Sequence, residues 1–344
     1  MAEYASANAL DIEQPGQLEI YLRSTGRVPA KDHITVQRLA GGVSNRTMLV
    51  ACNSGPRWVI KQALAKLRVA VDWFADPVRV HREALAMRWL NQVLPAGSVP
   101  ALVFEDPEQH LLAMECVPEP HDNWKTLLLA QPIDSEHVRQ FGALLGNIHR
   151  QGCVEGAAVP SELSDKSLFE ALRLEPYYRY TAEQVPEAGS FLRALVERTR
   201  SRHDTFVHGD FSPKNILVHH GRLVLLDHEV AHVGDPAFDV GFALAHLLSK
   251  AHYRVDQRDE FAVAADYFWR IYWQTRGTVP WQEDLAGRVV QHTLACLLSR
   301  VEGRSPLEYF QDSHRARQRQ AVLALLTRPP QTVSDLIPAF LERI

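Results

Sequence analysis

The stretch "TFVHGDFSPKNILVHHGRLVLLDHE", residues 205–229, constrains this chain more than any other. Apolar "TFV" and "ILV" flank a loop that carries Asp210 and Asn215, five residues apart. His220-Gly221 then marks a tight turn, and "RLVLL" leads back to Asp227. Two apolar runs around such a turn predict a short β-hairpin. A hairpin between Asn215 and Asp227 brings both side chains to the same end of their strands. Three oxygen-bearing side chains therefore converge beside a loop.

The same stretch runs into "HEVAH", with His228, Glu229 and His232 in the H-E-x-x-H spacing of a zinc hydrolase. That chemistry needs a helix, because only there do residues i and i+4 share a face. Here the preceding run reads as a strand, and Gly234 and Pro236 follow at once. Two bystander histidines near a turn is the favoured reading. Phosphoryl transfer makes different demands, which this stretch meets: a carboxylate for the acceptor hydroxyl proton, and oxygen ligands for Mg²⁺.

The front of the chain reads mostly as β-structure. "ITVQRLAGGVSNRTMLVAC" predicts a hairpin with Gly41 and Gly42 at its bend, where backbone amides can approach phosphates. Ser44 and Asn45 follow. Lys61 lies inside the apolar strand "WVIKQ", and Glu83 lies 22 residues on, in the predicted helix "DPVRVHREALAMRWLNQVL". A strand lysine paired with a helix glutamate is the phosphate clamp of kinases. Each feature alone has a bland alternative: a turn, an edge-strand lysine, a solvated glutamate. Their order along the chain is what carries the reading. Beyond about residue 118 the pattern turns helical, as in "SEHVRQFGALLGNIHR", with Val138, Phe141, Leu145 and Ile148 on one face. Phe261, Ala265, Phe268 and Tyr272 read as core positions of a further helix.

With those motifs in place, "HGDFSPKN" and "LLDHEVAHVGDPAFDVGFAL" resemble the aminoglycoside phosphotransferase and choline kinase superfamily, over residues 36 to 250. The resemblance implies an α+β, protein-kinase-like fold with a β-rich lobe (1–117) and a helical lobe (118–344). It implies ATP and Mg²⁺ between the lobes, Asp210 as catalytic base, His208 orienting the loop and Ser212 near the γ-phosphate. Asn215, Asp227 and Glu229 would hold the metal, and Asp239 would tie down the loop. Met114, Glu115 and Val117 would border the adenine. A protein kinase would carry an Arg at position 209 and an Asp-Phe-Gly where "DHE" stands.

The acceptor is less legible. A net charge of −4 and the lack of a dense Lys/Arg run argue against nucleic acid or an anionic membrane as partner. No acidic cluster suggests a polycationic drug, although the tyrosines and tryptophans of the second half could cage an ammonium. "WVIKQALAKLRV" and "LLSRVEGRSPLEYF" resemble the methylthioribose kinase branch, which makes Arg300 and Arg304 candidates for facing a sugar. Lys214 is read as solvent-facing. The expectation is a small-molecule hydroxyl acceptor, sugar-like before choline-like, for a cytoplasmic monomer or homodimer. The four cysteines are scattered and read as free thiols.

Overall fold

The computed structural model describes residues 10–39, 44–68, 73–153 and 158–344. Helix α1 (Pro15–Ser24) precedes five antiparallel strands: β1 (Ile34–Arg38), β2 (Asn45–Cys52), β3 (Arg57–Ala63), β4 (Leu102–Asp106) and β5 (Leu111–Glu115). Their order in the sheet is β1-β2-β3-β5-β4. Lys61 thus stands on the central strand, where it pairs with Thr47 and Leu112, and not on an edge. Leu18 and Leu22 of α1 pack on Val50, Ile60 and Ala113 on one face of the sheet. Helix α2 (Arg79–Val93) joins the main core through Val80, Ala84 and Met87. Gly41 and Gly42 lie outside the described residues.

Helical structure dominates the rest. Strand β6 (His121–Asn123) leads into α3 (Trp124–Ala130), which Asn123 caps, and α4 (Ser135–Gln151) is capped by Asp134. Short helices α5 (Ser167–Phe169) and α6 (Tyr180–Gln184) flank a π-helical stretch, Glu170–Arg179. The long helix α7 (Pro186–Ser201) then returns to the site strands. Those are β7 (Thr205–Val207), β8 (Ile216–His219), β9 (Arg222–Leu225) and β10 (His232–Gly234). The β8–β9 hairpin turns at His220 and Gly221, with φ of 48° and 72°. Two consecutive residues at positive φ match the right-handed twist of the strands they join.

Helix α8 (Pro236–Tyr253) is buried along nearly its whole length and is therefore central. It packs between α9 (Arg258–Arg276) and α10 (Leu285–Glu302), with α11 (Asp312–Thr327) and α12 (Val333–Leu341) outside. Phe261, Ala265, Phe268 and Tyr272 are buried core on α9, as their spacing suggests. Gly277 ends α9 at a φ of 64°. Among the described residues, no helix is long and apolar enough to cross a membrane.

Backbones of α8 and α10 touch at Gly241. A Cβ there would lie 2.6 Å from His292 Cβ and 2.8 Å from the Thr293 amide nitrogen. Gly241→Ala should lower stability by about 1–3 kcal/mol through this overpacking. Urea unfolding checks this, and an unchanged midpoint would refute so tight a crossing.

Candidate active site

The loop after β7 is fixed from below. The Asp239 carboxylate, in the first turn of α8, accepts the backbone amides of His208 at 2.6 Å and Gly209 at 2.8 Å. His149 approaches the same carboxylate at 3.3 Å. Gly209 has a φ of 78°, and a Cβ there would sit 2.9 Å from the Val230 carbonyl oxygen. Both the conformation and the space require glycine. His208 is fully buried, and its Nδ1 accepts the Asp210 amide at 3.1 Å. It lines neither cavity described below.

Asp210 is thereby held with one oxygen engaged. Asn215 Nδ2 donates to Asp210 Oδ2 at 2.7 Å and to its carbonyl at 3.0 Å. Arg173, from the π-helical stretch, pairs with the same Oδ2 at 2.9 Å and donates from Nε to the Gly209 carbonyl at 2.8 Å. Among the described residues no group donates to Asp210 Oδ1. Burial alone would lower Arg173, but Asp210 more than reverses this and keeps the guanidinium charged. Sequence reasoning did not find Arg173, because nothing in "ALRLEPYYR" announces a π-helix around Pro176.

Asp227 sits just past β9 at a φ of 67°, a left-handed conformation that aspartate enters more readily than most side chains. Its Oδ1 accepts from Lys61 Nζ at 3.0 Å, and Lys61 also donates to Glu83 Oε1 at 2.7 Å. Burial would lower Lys61, but Asp227 and then Glu83 raise it above its ordinary value. Burial would raise Asp227, yet Lys61 pulls it well below the carboxylate range. Glu83, fully enclosed behind Lys61, is pushed up by burial, with Lys61 opposing. The predicted strand-to-helix clamp is therefore assembled, with Asp227 as its third member.

A second pair lies beside it. Glu229 Oε2 lies 3.3 Å from Arg79 Nε and accepts from Asn45 Nδ2 at 3.2 Å. Arg79 is fully buried and also donates to the Ser44 and Leu64 carbonyls, the latter at 2.6 Å. Glu229 is raised by burial, and next by the neighbouring Asp227. Arg79 escaped sequence reasoning, since an arginine opening a helix reads as solvated.

The H-E-x-x-H string is not helical. His228 lies in a turn and His232 in β10, stacked on Phe169 with ring centroids 4.1 Å apart. Both rings are buried and neither lies on a helix, as the flanking strand implied.

Two cavities meet at Ser44, Lys214 and Asp227, which line both. The larger, about 560 Å³, lies under the N-terminal sheet and takes in Asn45, Lys61, Met114, Glu115, Val117 and Asn215. The smaller, about 170 Å³, takes in Asp210, Ser212, Arg173, Tyr177, Arg300 and Arg304. Arg300 and Arg304 reach this site from the end of α10, over 80 residues past Asp210 in sequence, as their motif suggested. Lys214 is exposed, but it stands at the mouth of both cavities and does not point away from them.

Comparison with known proteins agrees with this geometry. Residues 35–281 match the phosphotransferase enzyme family, and the chain belongs to that family. A methylthioribose kinase 2 of Oryza sativa subsp. japonica is 26% identical over 267 residues, covering 67% of this chain and 61% of the relative. The match thus spans less than two thirds of that relative's length. Choline kinase from Cryptosporidium parvum Iowa II shares the fold, with a TM-score of 0.57, 15% identity, and coverage of 93% of this chain and 99% of that one. An amicoumacin kinase in complex with AMP-PNP and Ca²⁺ gives a TM-score of 0.53 at 15% identity, covering 92% of this chain and 96% of that one. These likenesses establish the protein-kinase-like α+β fold predicted from the motifs.

Burial lowers His208 and His228, and takes His232 to about 4. The unfolded chain protonates these imidazoles near pH 6.5 and the folded chain does not. Their contribution is complete above that value and is lost as pH falls, for His232 down to about 4 at about 1.4 kcal/mol per pH unit. The stability lost on going from pH 7 to pH 5.5, read by urea unfolding, should be about 1 kcal/mol smaller in His232→Phe than in the unsubstituted protein. Equal losses would contradict neutral burial of this ring.

Proposed function

We propose that this enzyme transfers the γ-phosphate of ATP, with Mg²⁺, to a hydroxyl of a small sugar-like metabolite. One observation carries the reading. Asp210, Asn215 and Asp227 stand where a nucleotide-sized cavity meets a smaller one, with Lys61 clamped between Glu83 and Asp227. The donor occupies the larger cavity. The amides of Glu115 and Cys116 are taken up by the Ala101 and Arg57 carbonyls. Among the described residues nothing accepts from the Val117 amide, which is left for the adenine edge. Residues 1–117 and 118–344 act as the two lobes around the donor.

Lys61 holds the phosphates, and Ser212 lies beside the transferred group. When bound, Mg²⁺ neutralises phosphate charge, and the oxygens suited to it are Asn215 Oδ1 and the Asp227 carboxylate, with Glu229 adjacent. Asn215 offers that oxygen because its Nδ2 is turned to Asp210. The acceptor hydroxyl oxygen forms a bond to the γ-phosphorus. The bond from that phosphorus to its bridging oxygen breaks, ADP leaves, and the hydroxyl proton passes to Asp210. Arg173 and Asn215 fix Oδ2, so Oδ1 faces the incoming hydroxyl. The partial match to a methylthioribose kinase supports a sugar-like acceptor.

ADP release with Mg·ATP over a panel of sugars, sugar derivatives, choline and amino sugars tests this. Asp210→Asn should cut acceptor-dependent turnover by roughly two to four orders of magnitude while nucleotide binding persists. A loss under about threefold would remove Asp210 as the base.

A further inference from the structure

The charges of the smaller cavity do not balance as a site for a neutral or cationic acceptor would. Its three lining carboxylates each have a protein cation: Asp210 has Arg173 at 2.9 Å, Asp227 has Lys61 at 3.0 Å, and Glu229 has Arg79 at 3.3 Å. An ammonium group would have to share one of them with that cation. Two cations on the same lining, Lys214 and Arg300, take part in no ion pair among the described residues.

Arg300 is the sharper case. It is 9% exposed. Its Nη1 donates to the Ser305 carbonyl, to Ser305 Oγ at 3.0 Å and to the Tyr177 hydroxyl at 3.3 Å. Its buried Nε has no partner, and among the described residues neither has Nη2. A guanidinium so deeply enclosed with no carboxylate in ion-pair contact gains from an anion that arrives with the ligand. Arg304 stands beside it, paired with Glu175 at 3.1 Å.

The helix behind supplies no carboxylate to this lining: α8 contributes Phe242 and His246, and Lys250, one turn on, is fully buried and in no ion pair among the described residues. Burial first, then Lys125 and Arg300, bring Lys250 down to about 7. Glu308, bonded to Lys125, is the opposing carboxylate there.

These cations are not simply the donor's phosphate site. Lys214 borders both cavities, but Arg300 and Arg304 border only the smaller. We infer that the acceptor is a hydroxyl compound that also carries an anionic oxygen group, a carboxylate or a phosphate, bound by Arg300 with Lys214 between it and the transferred phosphate. This rests on the kinase reading and narrows its substrate class.

The test is ADP release with Mg·ATP on matched acceptors: glycerate, glycerol 3-phosphate and glycerol; gluconate, glucose 6-phosphate and glucose; ribose 5-phosphate and ribose; with choline as the cationic member. At least one anionic member should exceed its neutral partner in kcat/KM by roughly 10- to 100-fold, the worth of a charged hydrogen-bonded contact. Which arm responds tells carboxylate from phosphate. Arg300→Gln should bring that ratio near one, and Arg300→Lys should restore part of it. The exposed Lys214→Gln should lower it, even if Arg300→Gln folds poorly. Acceptor-dependent turnover that favours neutral or cationic members would overturn the anionic class and leave the kinase standing. If no member is turned over and Asp210→Asn changes nothing, both readings fail.

Discussion

The ammonium of Lys61 ties the two halves of this molecule together. It reaches from the central strand of the N-terminal sheet to Glu83 on α2, and across to Asp227 after the β8–β9 hairpin. Its charge survives burial only because two carboxylates face it. Removing either one would leave an expensive partner. The neighbouring Arg79, Glu229 and Asn45 repeat the arrangement in parallel, again joining a helix and a strand of the first half to the segment after Asp227. The larger cavity exists because these contacts set the distance between the sheet and the loop after β7.

The catalytic loop depends on a second constraint, Asp239, which receives two consecutive amides and so orients Asp210. Gly209 makes that possible, and a side chain there would strike Val230. The loop is thus specified by backbone contacts to the most buried helix of the protein. Asp210 itself needs only Asn215 and Arg173 to choose which oxygen faces the smaller cavity.

Much of this was legible in the sequence, for identifiable reasons. The hairpin declared itself through two apolar runs and a His-Gly turn, and with it the convergence of Asn215 and Asp227. Lys61 and Glu83 followed from order along the chain, and Asp239 from the family motif. Arg173 and Arg79 were hidden because their partners lie far off in sequence. Arg173 bonds across 36 residues to Gly209, and Arg79 across 35 to Ser44. Long-range ion pairs leave no local pattern. The smaller cavity was opaque for the same reason, as it is assembled from a π-helix, the loop after β7, α8 and the end of α10. Lys214 looked like a solvent residue because exposure and proximity to a site are not exclusive. Gly41 and Gly42 lie outside the described residues.

The central claim is that the cavity around Lys61 and Asp227 is built for a nucleotide triphosphate with its metal. Isothermal titration with AMP-PNP, with and without Mg²⁺, tests this most directly. The account predicts saturable binding that tightens on adding Mg²⁺, with the Mg²⁺ effect lost in Asp227→Asn. No binding, or binding that neither Mg²⁺ nor that substitution alters, would contradict it.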